Sequence, residues 1–130
     1  MLNEDSDACE HFGGEKLIKF GVPSDLVVTT SSDEVQRDRT FHAAMAVKRW
    51  LQEQGLRATS IDVVTLGPHA RRSRVLYESA LGNEVKVGVI AVEDRRFDAN
   101  HWWRSSVGVR SVVSESIAYL YAKIFFLAPQ

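Results

Sequence analysis

Residues 60–74 read SIDVVTLGPHARRSR. An apolar, β-branched run from Ile61 to Val64 ends in the loop Thr65-Leu66-Gly67-Pro68-His69. Such a run, closed by a Gly-Pro breaker, reads as a strand followed by a turn. Val75, Leu76 and Ala80 then recur at helical spacing, and Gly82 supplies a stop. This predicts a helix from about His69 to Leu81. Strand followed by crossover helix is the unit of a parallel sheet. In an open sheet of that kind, ligands bind off the carboxyl ends of the strands. A helix start also offers free N–H groups to anions. The stretch therefore sets the fold class and marks a candidate anion-binding corner.

The flanking sequence repeats the alternation. Before the stretch, Ala43, Ala44, Val47, Trp50 and Leu51 form one helical face, with Lys48, Arg49, Gln52 and Glu53 on the wet side and Gly55 at the end. Asp38 or Thr40 is positioned to cap that helix. Further upstream, Phe12, Leu17, Ile18 and Phe20 suggest a helix stopped by Gly21 and Pro23, and Leu26–Thr30, LVVTT, reads as a strand. After the stretch, Val85–Val92, VKVGVIAV, is a third strand. Its near-continuous apolarity predicts burial on both faces, as in parallel sheets. A charged loop, 93–100, leads through His101-Trp102-Trp103-Arg104 into a long helix from about Ser105 to Phe126. The order α-β-α-β-α-β-α predicts an α/β fold with a small parallel sheet of about three strands.

Composition narrows the class. The 130 residues make one domain the default reading, with residues 1–8 expected to be mobile. That length can bury a core without metal or disulfide support. A net charge of -1 argues against a nucleic-acid partner. The single Cys9 excludes an intrachain disulfide and suits a reducing compartment. The opening MLNEDSDACE has neither the basic end nor the apolar core of a secretory signal, so a cytoplasmic location is expected. The most apolar run, Ile117–Ala128, carries Lys123 and falls short of the roughly 20 residues a bilayer span needs. No membrane insertion is expected.

The candidate chemistry gathers where strands end. Gly67 lets the backbone approach a ligand, and Pro68 stiffens the turn. His69 can donate to an anion or move a proton, since an unperturbed imidazole titrates near neutrality. Arg72 can hold a phosphate through two parallel N–H bonds, with Arg71 beside it. Arginines near a helix start oppose the helix dipole, which favours a functional reason for them. The plain alternative is surface arginines paired with Glu78 or Glu53 and a capping His69. Arg39 and Thr40, after the first strand, fall on the same rim in a parallel sheet, where Thr40 could position a second part of a ligand or simply cap the helix. Asp94, Arg95, Arg96 and Asp98 also follow a strand and read most simply as a salt-bridged loop. Trp102 and Trp103 could stack on a ring, but anchoring a helix to the sheet is the commoner use of such area. His42 reads as partly exposed rather than as a metal ligand. No phosphate-binding P-loop, GxGxxG, HExxH or GxSxG motif occurs. No metal or cofactor is indicated.

These motifs together resemble the YdcF-like family, domain of unknown function 218, which includes the SanA and ElyC envelope proteins. Gly21-Val22-Pro23 matches the end of the family's helix. Arg37-Asp38-Arg39-Thr40 matches its Ser-x-Asn-Thr-like segment, with Thr40 alone identical in type. Thr65, His69 and Arg72 match its Thr-Ser-x-x-His-x-x-Arg loop and helix, while Gly67 and Ser73 depart from it. The resemblance spans about residues 14–126. It implies a Rossmann-like, three-layer α-β-α fold and a pocket containing Thr40, His69 and Arg72. It further implies a small anionic ligand, phosphate-bearing or nucleotide-like, in envelope or polysaccharide metabolism. The family's first strand and Gly-rich loop have no counterpart ahead of the first helix, so the chain is expected to correspond to the C-terminal two-thirds of the domain. That leaves sheet surface for a partner or a second copy to cover.

Two functional expectations follow. One is a small-ligand domain in which Arg72 holds the anion, Thr40 positions it, and His69 polarises it or shuttles a proton. The other is a non-catalytic interaction module that associates through its sheet edge or last helix, in a homo-oligomer or with another protein.

Overall fold

The computed structural model describes residues 14–30 and 39–126. The expectations for residues 1–8, Cys9, Asp38 and the loop 31–38 lie outside the described residues. Residues 14–19 are helical (α1), and a single 3-10 turn, Ser24–Leu26, follows Pro23. The remaining elements are α2 (Arg39–Glu53), β1 (Ser60–Leu66), a 3-10 turn (Gly67–His69), α3 (Ala70–Leu81), β2 (Lys86–Val92), a second 3-10 segment (Ala99–Arg104) and α4 (Ser106–Phe126).

β1 and β2 pair in parallel, with Ser60 opposite Lys86 and Leu66 opposite Val92. The α/β order and the parallel sheet agree with the sequence reading. The strand count does not: among the described residues the sheet has two strands, not about three. Part of the expected strand Leu26–Thr30 is the 3-10 turn, and 27–30 joins no ladder. Its β-branched residues favour extended backbone, but a strand is stable only against a partner.

The helices end where the sequence punctuates. At the end of α2, Leu56 N–H donates to Leu51 O at 2.9 Å and Gly55 N–H to Gln52 O at 3.1 Å. This Schellman closure needs a left-handed residue, and Gly55 has φ 65°. At the start of α4 the Ser105 hydroxyl accepts from Gly108 N–H at 3.2 Å, a side-chain N-cap. Gly108 also sits against the preceding turn: a Cβ there would lie 2.3 Å from the Trp102 carbonyl oxygen.

The core lies within the helical layer. Val75 and Leu76 of α3 pack with Ala122 of α4, flanked by Phe41 of α2 and Tyr119 of α4. Leu76 is 2% exposed. Lys48, expected on the wet side of α2, donates to the Ala80 carbonyl at 3.0 Å and ties α2 to the end of α3. α3 covers one face of the sheet. On the other face Val64, Leu66, Ile90 and Val92 stay 37–62% exposed. The predicted burial of β2 on both faces is therefore not found; Val87 is buried, but its neighbours on the opposite face meet no described helix. An outer stripe of α4, including Val113, Ile117, Leu120 and Ile124, is also exposed.

Candidate functional site

β1 ends at Leu66, and the turn Gly67–His69 feeds directly into α3. Pro68 at the start of that turn presets its backbone, and no side chain caps the beginning of α3. His69 and Arg72, three residues apart, therefore share one face at the head of α3. α4 delivers Glu115 to that face. Its carboxylate meets Arg72 at two points, Nε to Oε2 at 2.9 Å and Nη2 to Oε1 at 3.1 Å. The same Oε1 lies 2.6 Å from His69 Nδ1. A contact that short to a carboxylate fixes the tautomer: Nδ1 carries the proton and donates it to Glu115. Nε2 is then the nitrogen left for chemistry. Arg72 Nη2, 3.4 Å from Nδ1, adds positive charge beside the ring.

Glu115 is 12% exposed, Arg72 26% and His69 37%, so the group passes from a half-buried carboxylate to an accessible imidazole. This alters the reading of Arg72. Its fork is engaged by Glu115, so it orients the carboxylate that holds His69 instead of presenting a free grip for an anion. The plain alternative named Glu78 or Glu53 as the arginines' partners; Glu78 pairs with Arg74 at 2.9 Å, not with Arg72. Arg71 is exposed and makes no ion pair among the described residues.

A cleft of about 380 Å³ opens beside this group, lined by Gly67, Pro68, Ala91, Asp94, Phe97 and Val112 among others. Its walls are mainly apolar, with Glu93 and Asp94 also among them. Asp94 is buried against Arg96, whose Nη2 lies 2.6 Å from Oδ2 and whose backbone N–H donates to Oδ1. The Arg96 hydrogen bond holds the Asp94 carboxyl at about 2, and the nearby His69 adds to the lowering.

Arg39 and Thr40 lie elsewhere. They line a second cleft of about 340 Å³ with Ala43, Val63, Val64, Thr65, Ser73 and Tyr77, alongside β1. Burial raises the Tyr77 phenol above its usual pKa. Gly67, His69, Arg71 and Arg72 are thus brought together at the head of α3, while Arg39 and Thr40 flank a separate opening. In the charged loop Asp94 pairs with Arg96 as read, while Asp98 pairs with His101 at 2.7 Å, outside the four residues expected to order one another. The His101 hydrogen bond lowers the Asp98 pKa. Trp103 is 58% exposed and meets His101 and Trp102 edge-on. His42 is half-buried against Phe41. No group of three or more metal-ligating side chains occurs among the described residues, and no helix there is long and apolar enough to cross a membrane.

Glu115 was not singled out from the sequence. A signal was present: it is the one acidic residue within Ser106–Phe126, an otherwise apolar and hydroxyl-bearing helix with two basic residues. The first turn of α3 has no acidic residue of its own. A lone carboxylate in one helix answers a run of arginines in another. No family model matches this chain, and no curated protein or solved structure matches it.

Proposed function

We propose that the chain binds a small anionic ligand, phosphate-bearing or nucleotide-like, at the head of α3, with His69 as the group that donates or accepts a proton. The observation that carries this reading is the 2.6 Å contact between Glu115 and His69 Nδ1, which leaves Nε2 as the ring nitrogen not engaged by Glu115. A carboxylate-oriented imidazole is a usual device for proton transfer. The exposed Arg71 supplies donors and positive charge for a phosphate at the turn into α3. The apolar cleft beside them suits a ring or sugar carried on that phosphate. The His-x-x-Arg pattern after a strand, in common with the YdcF-like family, supports the same assignment.

In this arrangement Glu115 fixes the tautomer of His69, Arg72 fixes Glu115, and Gly67 leaves room at the mouth. Isothermal titration of the chain with nucleotides and nucleotide-sugars tests the reading. At least one should bind, and Arg71→Ala and His69→Ala should each weaken it about tenfold, the loss of one charge-assisted hydrogen bond. Binding unchanged in both variants contradicts the assignment.

A further inference from the structure

Three elements line the cleft of about 340 Å³ beside β1, each with residues spaced to share one face. From α2 come Thr40 and Ala43, three residues apart, with Arg39 next to them. From β1 come Val63 and Thr65, two residues apart and so on the same side of the sheet. From α3 come Ser73 and Tyr77, four residues apart. The lining therefore gathers one guanidinium and four hydroxyls, and it contains no acidic residue.

These polar side chains have one property in common. Arg39, Thr40, Thr65, Ser73 and Tyr77 make no side-chain hydrogen bond or ion pair among the described residues. Polar groups withdrawn from water are ordinarily paired. Ser73 shows the departure most sharply, since it is only 5% exposed. Every fully enclosed side-chain oxygen or nitrogen among the described residues has a partner, so the unpaired Ser73 hydroxyl keeps its access through the cleft it lines. Tyr77 is half-buried, and desolvation raises its phenol, which keeps it a neutral donor.

We propose that this cleft is a second ligand site, for a small hydroxylated carboxylate such as a sugar acid. A guanidinium fork matches a carboxylate through two parallel N–H bonds. One cation with no acid beside it suits a single negative charge. Hydroxyl side chains both donate and accept, so they pair with the hydroxyls of a ligand. A cationic ligand would meet Arg39 and find no carboxylate to hold it. The volume lies at the small end of ligand pockets, about 300–1,000 Å³, and Ala43 and Val63 offer apolar contact to the C–H face of a ring. This site shares no lining residue with the cleft at the head of α3, so either reading can fail without the other.

Amide NMR of the full chain, titrated with D-glucuronate and in parallel with D-glucose, tests the proposal. The expected result is saturable shifts with glucuronate, centred on Thr40, Thr65, Ser73 and Tyr77, and binding of the uncharged sugar weaker by about tenfold or more. Arg39→Ala should weaken glucuronate by about tenfold, and Tyr77→Phe, which removes one hydroxyl, by about fivefold, with the far-ultraviolet dichroism of both unchanged. No saturable shift at tens of millimolar overturns the proposal. So does glucose binding as tightly as glucuronate, or shifts that centre on Gly67–Arg71 and persist in both variants.

Discussion

Glu115 in α4 engages Arg72 in α3 through two parallel contacts, at 2.9 and 3.1 Å, across 43 residues of sequence. The pair joins the last helix to the head of the helix that follows β1. It also brings a negative charge to a helix start whose own sequence carries arginines and no acid. Carboxylates are favourable there because of the helix dipole. The same carboxylate holds His69, so one side chain both joins the two helices and orients the imidazole.

Removing that charge should loosen the packing of α4 on α3. Glu115→Gln keeps the size of the side chain but replaces one accepting oxygen with an amide and removes the negative charge from all three contacts, two with Arg72 and one with His69. Hydrogen bonds to charged groups contribute about 1.5–3 kcal/mol each, and part of that is recovered by water at this half-open position. We expect a net loss of about 2 kcal/mol in urea-induced unfolding. A loss below about 0.5 kcal/mol, the range of an ordinary surface substitution, would mean that the pair does not tether the helices.

Asp94 sets an acid limit. Its carboxyl titrates at about 2 when folded, chiefly through the Arg96 hydrogen bond, against an ordinary value of 3.8. A group whose folded pKa is depressed stabilises the protein above its unfolded pKa and loses that contribution as pH falls through the folded value. The contribution is therefore complete above about pH 5 and declines toward pH 2. Carboxyl NMR should show Asp94 titrating below the other aspartates, and Arg96→Ala should return it toward 3.8. An unchanged midpoint in Arg96→Ala contradicts the assigned cause.

The turn into α4 depends on a missing side chain. Gly108→Ala would place a methyl group 2.3 Å from the Trp102 carbonyl. Alanine gains about 1 kcal/mol in helix propensity over glycine, while overpacking costs about 1–3 kcal/mol. The obstacle is backbone and cannot rotate away, so the clash should win. A lowered midpoint of thermal unfolding is expected; a raised one would show that the turn has room to shift.

Leu76 carries the packing of the three helices. Leu76→Ala should cost about 3 kcal/mol, combining lost transfer energy with a cavity among Val75, Ala122, Phe41 and Tyr119. Chemical denaturation measures it. A cost near 1 kcal/mol would indicate that α2 and α4 close over the space.

Local chemistry made part of this molecule legible. The β-branched run before Gly67-Pro68, and the apolar stripe ending at Gly82, placed β1 and α3 within a residue or two. Those elements follow from near neighbours in sequence. Leu26–Thr30 misled because strand propensity describes side chains that fit a pleated, half-buried surface and supplies no partner to form one. Val85–Val92 misled differently: its apolarity states what the strand can bury, and only tertiary packing decides which face is covered. His69 and Arg72 were found from their place after a strand. Their carboxylate partner was missed because a long-range pair leaves no trace in local spacing. The same limit applies to Arg39 and Thr40. Their position after a predicted strand suggested one shared rim, but that strand joins no sheet and the two residues border a different cleft.

We propose that His69 presents Nε2 to an anion while Glu115 holds Nδ1. Nitrogen NMR of the imidazole during titration with a nucleoside monophosphate tests it most directly. The account predicts that Nε2 shifts in a saturable way, while Nδ1 keeps its proton and its bond to Glu115. Ring nitrogens that do not move at millimolar ligand, or an Nδ1 signal indifferent to Glu115→Gln, would contradict it.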